Sequence, residues 1–168
     1  MIPAVPVLTG ARIILRPYRL SDFDRLVEIY QSPRSAYIDG PKSIGKVWSD
    51  FAANVGQWTL LGFGGWSVEE KESGSYVGIV GLNFPIEFPE RELGWILWEE
   101  FEGKGYAFEA ASMARDFAFR QLKFDTLVSY IDPDNARSIR LAERLGAVLD
   151  PDAKTPNDEA CLVYRHRP

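Results

Sequence analysis

Two glycines, Gly103 and Gly105, flank Lys104 where a short bulky run, Glu92 to Trp98 (ELGWILW), gives way to a helical pattern. In that pattern Ala107, Ala110, Ala111, Ala114, Phe117 and Ala118 recur at i, i+3, i+4 and i+7, the spacing of one buried helix face. Strand, glycine loop and helix start together form an anion site. Free backbone N–H groups point out of the first turn, the helix dipole adds positive charge, and glycine lets phosphate approach closely. Lys104 adds a cation that such a site does not require. Elsewhere the reactive residue types are scarce. A single cysteine, Cys161, excludes an internal disulfide and reads as a small apolar residue of a late strand. A single histidine, His166, argues against a His-centred triad, and no metal site is expected.

The loop is not a dinucleotide fingerprint, because Phe108 stands where a third glycine is needed, and no G-x-x-x-x-G-K-[ST] run is present. Glu102 to Ala107 instead resembles the acyl-CoA loop Q/R-x-x-G-x-G/A of the Gcn5-related N-acetyltransferases. Glu102 departs from the usual Gln or Arg, and its side chain is expected to turn to solvent while only its backbone takes part. Three other stretches resemble the RimJ/RimL-like branch of that family, which acetylates protein N-termini and small amines. They are Leu15 to Leu26 (LRPYRLSDFDRL), Gly65 to Phe84 around a central hairpin, and Asp132 to Ala147 with its N-x-x-S element.

The resemblance implies acetyl-CoA as cofactor and a primary amine, small-molecule or peptide, as acceptor. The backbone of Ile96, Leu97 and Trp98 would pair with the pantetheine amides, and Glu102, Gly103, Lys104, Gly105, Tyr106 and Ala107 would hold the pyrophosphate. Asn135 would touch the pantetheine arm and Ser138 would give a proton to the leaving sulfur, with Tyr164 the alternative donor. Glu92 would be the general base. Tyr106 and Phe108 would line the cofactor channel. Plainer roles stay open: Asn135 and Ser138 as helix-start residues, Glu92 as a solvated strand end, both aromatics as packing. So does a non-catalytic acyl-CoA-binding module. A homodimer is compatible with the resemblance.

The elements needed to place these residues are legible as pattern. Ala11 to Pro17 alternates like a strand, and Ser21 or Asp22 can cap a helix carrying Phe23, Leu26, Val27 and Tyr30. Arg34 to Gly45 reads as loop. A second helix from about Ser43 to Leu61 has Val47, Phe51, Val55 and Trp58 as its inner stripe. A hairpin turns at Glu72-Ser73-Gly74, and a loop from Pro85 to Arg91 leads into the largely buried ELGWILW strand. DTLVSYI is a further strand, DPDNARSIRLAERLG a helix closed by Gly146, and ACLVYRH a last strand. The order predicts an α/β fold, a mixed, mostly antiparallel sheet flanked by helices, in one domain over 1–168.

An apolar share of 46% with 26% charged residues is ordinary for a globular chain. No apolar run approaches the ~20 residues of a membrane span, and MIPAVPVLTG lacks the basic and apolar regions of a leader. A cytoplasmic location is expected, with no membrane partner. The net charge of −5 argues against a nucleic-acid surface.

Overall fold

In the computed structural model, which describes residues 4–168, eight strands form one sheet in the order β1-β2-β3-β4-β5-β6-β8-β7. Met1 to Pro3, the start of the segment read as leader-free, lie outside the described residues. The strands are β1 (Leu8–Thr9), β2 (Ile13–Arg16), β3 (Gly65–Glu70), β4 (Tyr76–Asn83), β5 (Glu92–Leu97), β6 (Leu127–Ile131), β7 (Val148–Leu149) and β8 (Leu162–His166). The helices are α1 (Phe23–Gln31), α2 (Ile44–Leu61), α3 (Tyr106–Arg120) and α4 (Ala136–Arg144). Every adjacent pair is antiparallel except β5 and β6, which are parallel and share a single register pair, Glu92 with Val128. Beyond that pair the two strands separate, so the sheet splits toward their carboxyl ends.

Alternation along β5 sorts its side chains between two layers. Leu93, Trp95 and Leu97 pack with the alanine face of α3 and the core of Trp58, Trp66, Val80 and Leu82. Ile96 joins Trp98, Leu26, Ile29, Val47 and Phe51 beneath α1 and α2. The same parity puts Glu92 and Gly94 on the α1/α2 side. Ala110, Ala111, Ala114 and Ala118 are fully buried because only methyl-sized side chains let α3 lie this close to the strands.

Four expectations are corrected. Asp22 starts α1 without capping it. Its carboxylate takes two bonds from the Arg16 guanidinium (2.8 and 2.9 Å), one from the Arg19 N–H and one from Ser67 Oγ. Two guanidinium bonds outcompete a backbone cap for the same oxygens. Val55 is 46% exposed and leaves the inner stripe of α2, whose Ser43 does cap it. The start of the stretch read as loop from Arg34 to Gly45 lies in a 3-10 turn (Pro33–Tyr37). β5 is only half-buried apart from Leu93, because it borders the split rather than lying in the middle of a continuous ladder. The two-residue strands β1 and β7 had no readable alternation.

Candidate active site

The loop between β5 and α3 has the geometry of an anion cradle. Gly103 (φ +73°) and Gly105 (φ +83°) are both left-handed, which L side chains rarely adopt. No side chain caps α3, and the first helical bond runs from Glu109 N–H to Gly105 O at 3.1 Å. The N–H groups of Tyr106, Ala107 and Phe108 therefore lack an intrahelical acceptor. Arg12 fastens the loop from β2: it donates to the Lys104 carbonyl (2.7 Å) and, by main chain and side chain, to Glu109 (2.8 and 2.9 Å). An open groove of about 500 Å³ adjoins the loop, lined by Arg12, Lys104, Gly105, Phe108, Ser112 and Arg144.

Tyr106 faces away from that groove. Its ring is buried under Arg12 and beside Phe101, and its hydroxyl bonds Glu70 at the end of β3, so only its backbone serves the loop. Phe108 does line the groove, with the Arg144 guanidinium 4.2 Å above its ring. Glu102 does not turn to solvent. One carboxylate oxygen accepts from Arg34 and the other from Arg137, since two guanidiniums within reach hold the charge better than water at a half-buried position.

Of the three backbone positions assigned to pantetheine, only Leu97 faces the split. Trp98 N–H donates to the Val77 carbonyl (3.0 Å), and Ile96 lies opposite Ile79 with the same orientation toward β4. Leu97 and Trp95 present their main-chain groups to the opening. A further hydroxyl sets where the opening begins. Ser129 Oγ donates to the Leu93 carbonyl at 2.6 Å, filling the acceptor that β6 no longer reaches. His166 Nε2 lies 2.9 Å from the same Oγ. Ser129 has one proton and gives it to Leu93, so Nε2 carries the hydrogen and donates. The imidazole stays neutral: burial, then Arg115, lowers its pKa to about 4, and Nδ1 has no partner.

Glu92 sits at the base of the split on the α1/α2 side. Burial raises its pKa from 4.5 to about 7, against the Asn83 and Tyr130 hydrogen bonds that favour the charged form. Asn83 Nδ2 donates to it at 2.9 Å from the opposite register position on β4. Gly81 and Gly94 make room for the pair, which lies over them: a Cβ on either would meet Asn83 or Glu92 atoms at 2.8–3.3 Å. The hydroxyl of Tyr30 on α1 is pushed up to about 12 by burial first and by Asp50, Asp39 and Glu92 after it.

Ser138 lies on the other side of β5. Its Oγ accepts from the Trp95 indole (3.2 Å) and its N–H donates to Asn135 Oδ1 (3.2 Å). Asn135 thus caps α4, and the plain helix-start role is real for it. The Ser138 hydroxyl proton remains free to be donated. Tyr164, the alternative donor, packs in the same cluster as Trp95 and Ile139, and its hydroxyl donates to Glu143 (3.3 Å). Cys161, half-buried, directly precedes β8 rather than lying in it, and its thiol is pushed up by burial and then by Glu159, Glu92 and Asp132. Asn83, Trp95, Ser129, Arg34 and Arg137 were not foreseen; only strand register and the split reveal them.

An α/β sheet opened between two parallel strands, with an uncapped glycine-flanked helix start at the opening, offers free backbone donors to an anionic ligand. The chain belongs to the GNAT acetyltransferase family, whose acetyltransferase (GNAT) domain model matches residues 12–148. An acetyltransferase structure from Agrobacterium tumefaciens str. C58 is 40% identical, covers 100% of this chain and 98% of that one, and superposes with a TM-score of 0.94. YkkB of Bacillus subtilis (strain 168) is 34% identical over 84 residues, 48% of this chain and 48% of that protein, so the match spans about half of that relative's length. RimL, a ribosomal α-N-protein acetyltransferase solved in complex with coenzyme A, shares the fold at 18% identity, with a TM-score of 0.76 over 96% of this chain and 98% of that one. Enzymes of this family take acetyl-CoA as the acetyl donor. No helix among the described residues is long and apolar enough to cross a membrane, and no cluster of three metal-ligating side chains is found among them.

Proposed function

We propose that this chain is an acetyl-CoA-dependent N-acetyltransferase of the RimJ/RimL-like kind, acting by direct transfer to a primary amine, with a peptide or protein N-terminus favoured over a small-molecule amine. The observation that carries this reading is the pairing of an uncapped helix start with a carboxyl raised to about 7 at the same split. Acetyl-CoA, when bound, supplies the acetyl group as a thioester. The free N–H groups from Tyr106 to Phe108, reached across Gly103 and Gly105, hold its pyrophosphate, and the Leu97 main chain holds a pantetheine amide as an added strand would. Glu92 takes the proton from the acceptor ammonium, directly or through one water, and Asn83 fixes the carboxylate. Ser138 gives its hydroxyl proton to the departing sulfur and regains one from the amine nitrogen as that nitrogen is acylated, while the Trp95 indole fixes its oxygen.

A base near 7 suits an α-amine, whose pKa is ~7.7–8.0, far better than a lysine near ~10.4. The two groups need no contact with each other: one works from the α1/α2 side and the other from the α3/α4 side, and the split is where the reacting atoms meet. Release of free thiol from acetyl-CoA, followed over a panel of amines, tests the reading. Amine-dependent release with acetylated product is the expected result. CoA affinity without thiol release on any amine would leave only a binding module.

A further inference from the structure

Glu102 stands where a carboxylate is least expected, one residue before a loop shaped for phosphate. It is half-buried, and both of its oxygens are engaged. Arg34, from the 3-10 turn after α1, bonds one of them. Its Nη2 also lies 3.4 Å from the Leu97 carbonyl, the main-chain acceptor that faces the split. Arg137, in the first turn of α4, bonds the other. The three side chains thus bridge the cofactor loop to segments on either side of the split and lie across its mouth. One donor is left over. Arg34 Nε is buried with no acceptor, although a guanidinium carries five N–H groups that desolvation makes expensive to leave unmade.

We infer that Glu102 is an internal stand-in for the pyrophosphate. It holds Arg34 and Arg137 across the slot in the free protein and gives them up to phosphate oxygens when CoA enters. The inference rests on the cofactor reading above. Charge makes the exchange necessary, because a pyrophosphate on the N–H groups just past Gly103 brings anionic oxygens close to the Glu102 carboxylate. Both anions draw on the same guanidiniums, and a pyrophosphate presents more acceptor oxygens than one carboxylate. Arg34 must also withdraw from Leu97 for that carbonyl to meet a pantetheine amide. Glu102 therefore weakens CoA binding while keeping two long cationic side chains ordered in its absence.

Calorimetric titration with CoA and, separately, with pantetheine, which lacks the pyrophosphate, tests this on the full chain. Glu102→Gln should bind CoA about tenfold tighter and bind pantetheine unchanged, because the freed guanidiniums gain charge-assisted bonds only to phosphate. In a background carrying Arg34→Gln and Arg137→Gln, the same Glu102→Gln change should lose most of that gain, leaving only the relief of repulsion between carboxylate and pyrophosphate. Thermal unfolding of each variant confirms that it folds, and if the double arginine background does not, Arg137→Gln alone should remove at least half of the logarithmic gain. CoA affinity unchanged or weakened by Glu102→Gln overturns the inference. So does a tenfold gain that persists without both arginines, which would mark simple repulsion. Failure of the unaltered chain to bind CoA at all would instead remove the cofactor reading beneath it.

Discussion

Replacing Glu92 by Gln should stabilise the fold progressively as pH rises from 4.5 to about 7, and by its full amount above neutral pH. In the folded chain the carboxyl holds its proton up to about 7, whereas its ordinary value is 4.5. Between those values the native state binds a proton that the unfolded chain has released, so stability falls as pH rises through the window and the loss is complete above 7. At ~1.36 kcal/mol per unit, the penalty carried by Glu92 at pH 8.5 is about 3 kcal/mol at most. Gln keeps the shape, and its amide oxygen can still accept from Asn83, so the variant avoids the charge without leaving a new orphan. Allowing for relaxation and solvent at a half-buried group, the gain at pH 8.5 should be about 1–3 kcal/mol. For a chain of this length that is roughly 3–8 °C in Tm. Urea unfolding of both proteins at pH 4.5 and 8.5 measures it. The curves should nearly coincide at the lower pH and separate at the higher, with Gln the more stable. Equal stability at both pH values, or a Gln variant that is weaker at pH 8.5, would refute a half-buried, charge-averse Glu92.

Gly105→Val should abolish measurable CoA binding in calorimetry, since a branched residue at φ +83° strains the loop and its Cβ already lies 3.2 Å from Arg12 Nη2; unchanged affinity would remove the loop assignment. Ser138→Ala should lower kcat about a hundredfold with CoA affinity nearly intact, because the hydroxyl acts on charge that develops only as the sulfur leaves. A loss below about threefold in steady-state assays would return Ser138 to the helix-start role. Ser129→Ala should destabilise by about 1–3 kcal/mol in urea unfolding, because it strands the buried Leu93 carbonyl and the His166 N–H together. A neutral result would mean that the start of the split is set by other contacts.

The sequence made the helix faces, the glycine loop and the hairpin readable because each depends on neighbours within a few residues. The buried alanines of α3 and the Ser43 cap of α2 are of this kind. What it hid are groups whose role exists only after strands are aligned. Asn83 matters because register sets it opposite Glu92. Ser129 matters because β6 leaves β5 after one pair and strands a carbonyl. The direction of the main chain at Ile96, Leu97 and Trp98 could not be assigned without the β4 pairing, so three positions were named where one faces the split. Glu102 shows a different limit: a motif departure announces that something has changed, but its partners, Arg34 and Arg137, lie 68 and 35 residues away.

The central claim, that Glu92 deprotonates an α-amine acceptor, is tested most directly by the pH dependence of kcat/KM for the unaltered chain and Glu92→Gln. The acceptor would be a peptide whose only amine is its N-terminus. The unaltered enzyme should rise with pH and level off near 8, following its base near 7 and the free amine present at ~7.7–8.0. Glu92→Gln should be deeply impaired at pH 7 and recover much of its rate at pH 9, where the substrate sheds its proton unaided. Parallel profiles, with a constant ratio from pH 6 to 9, would contradict that role for Glu92, as would faster turnover of a blocked-terminus lysine peptide.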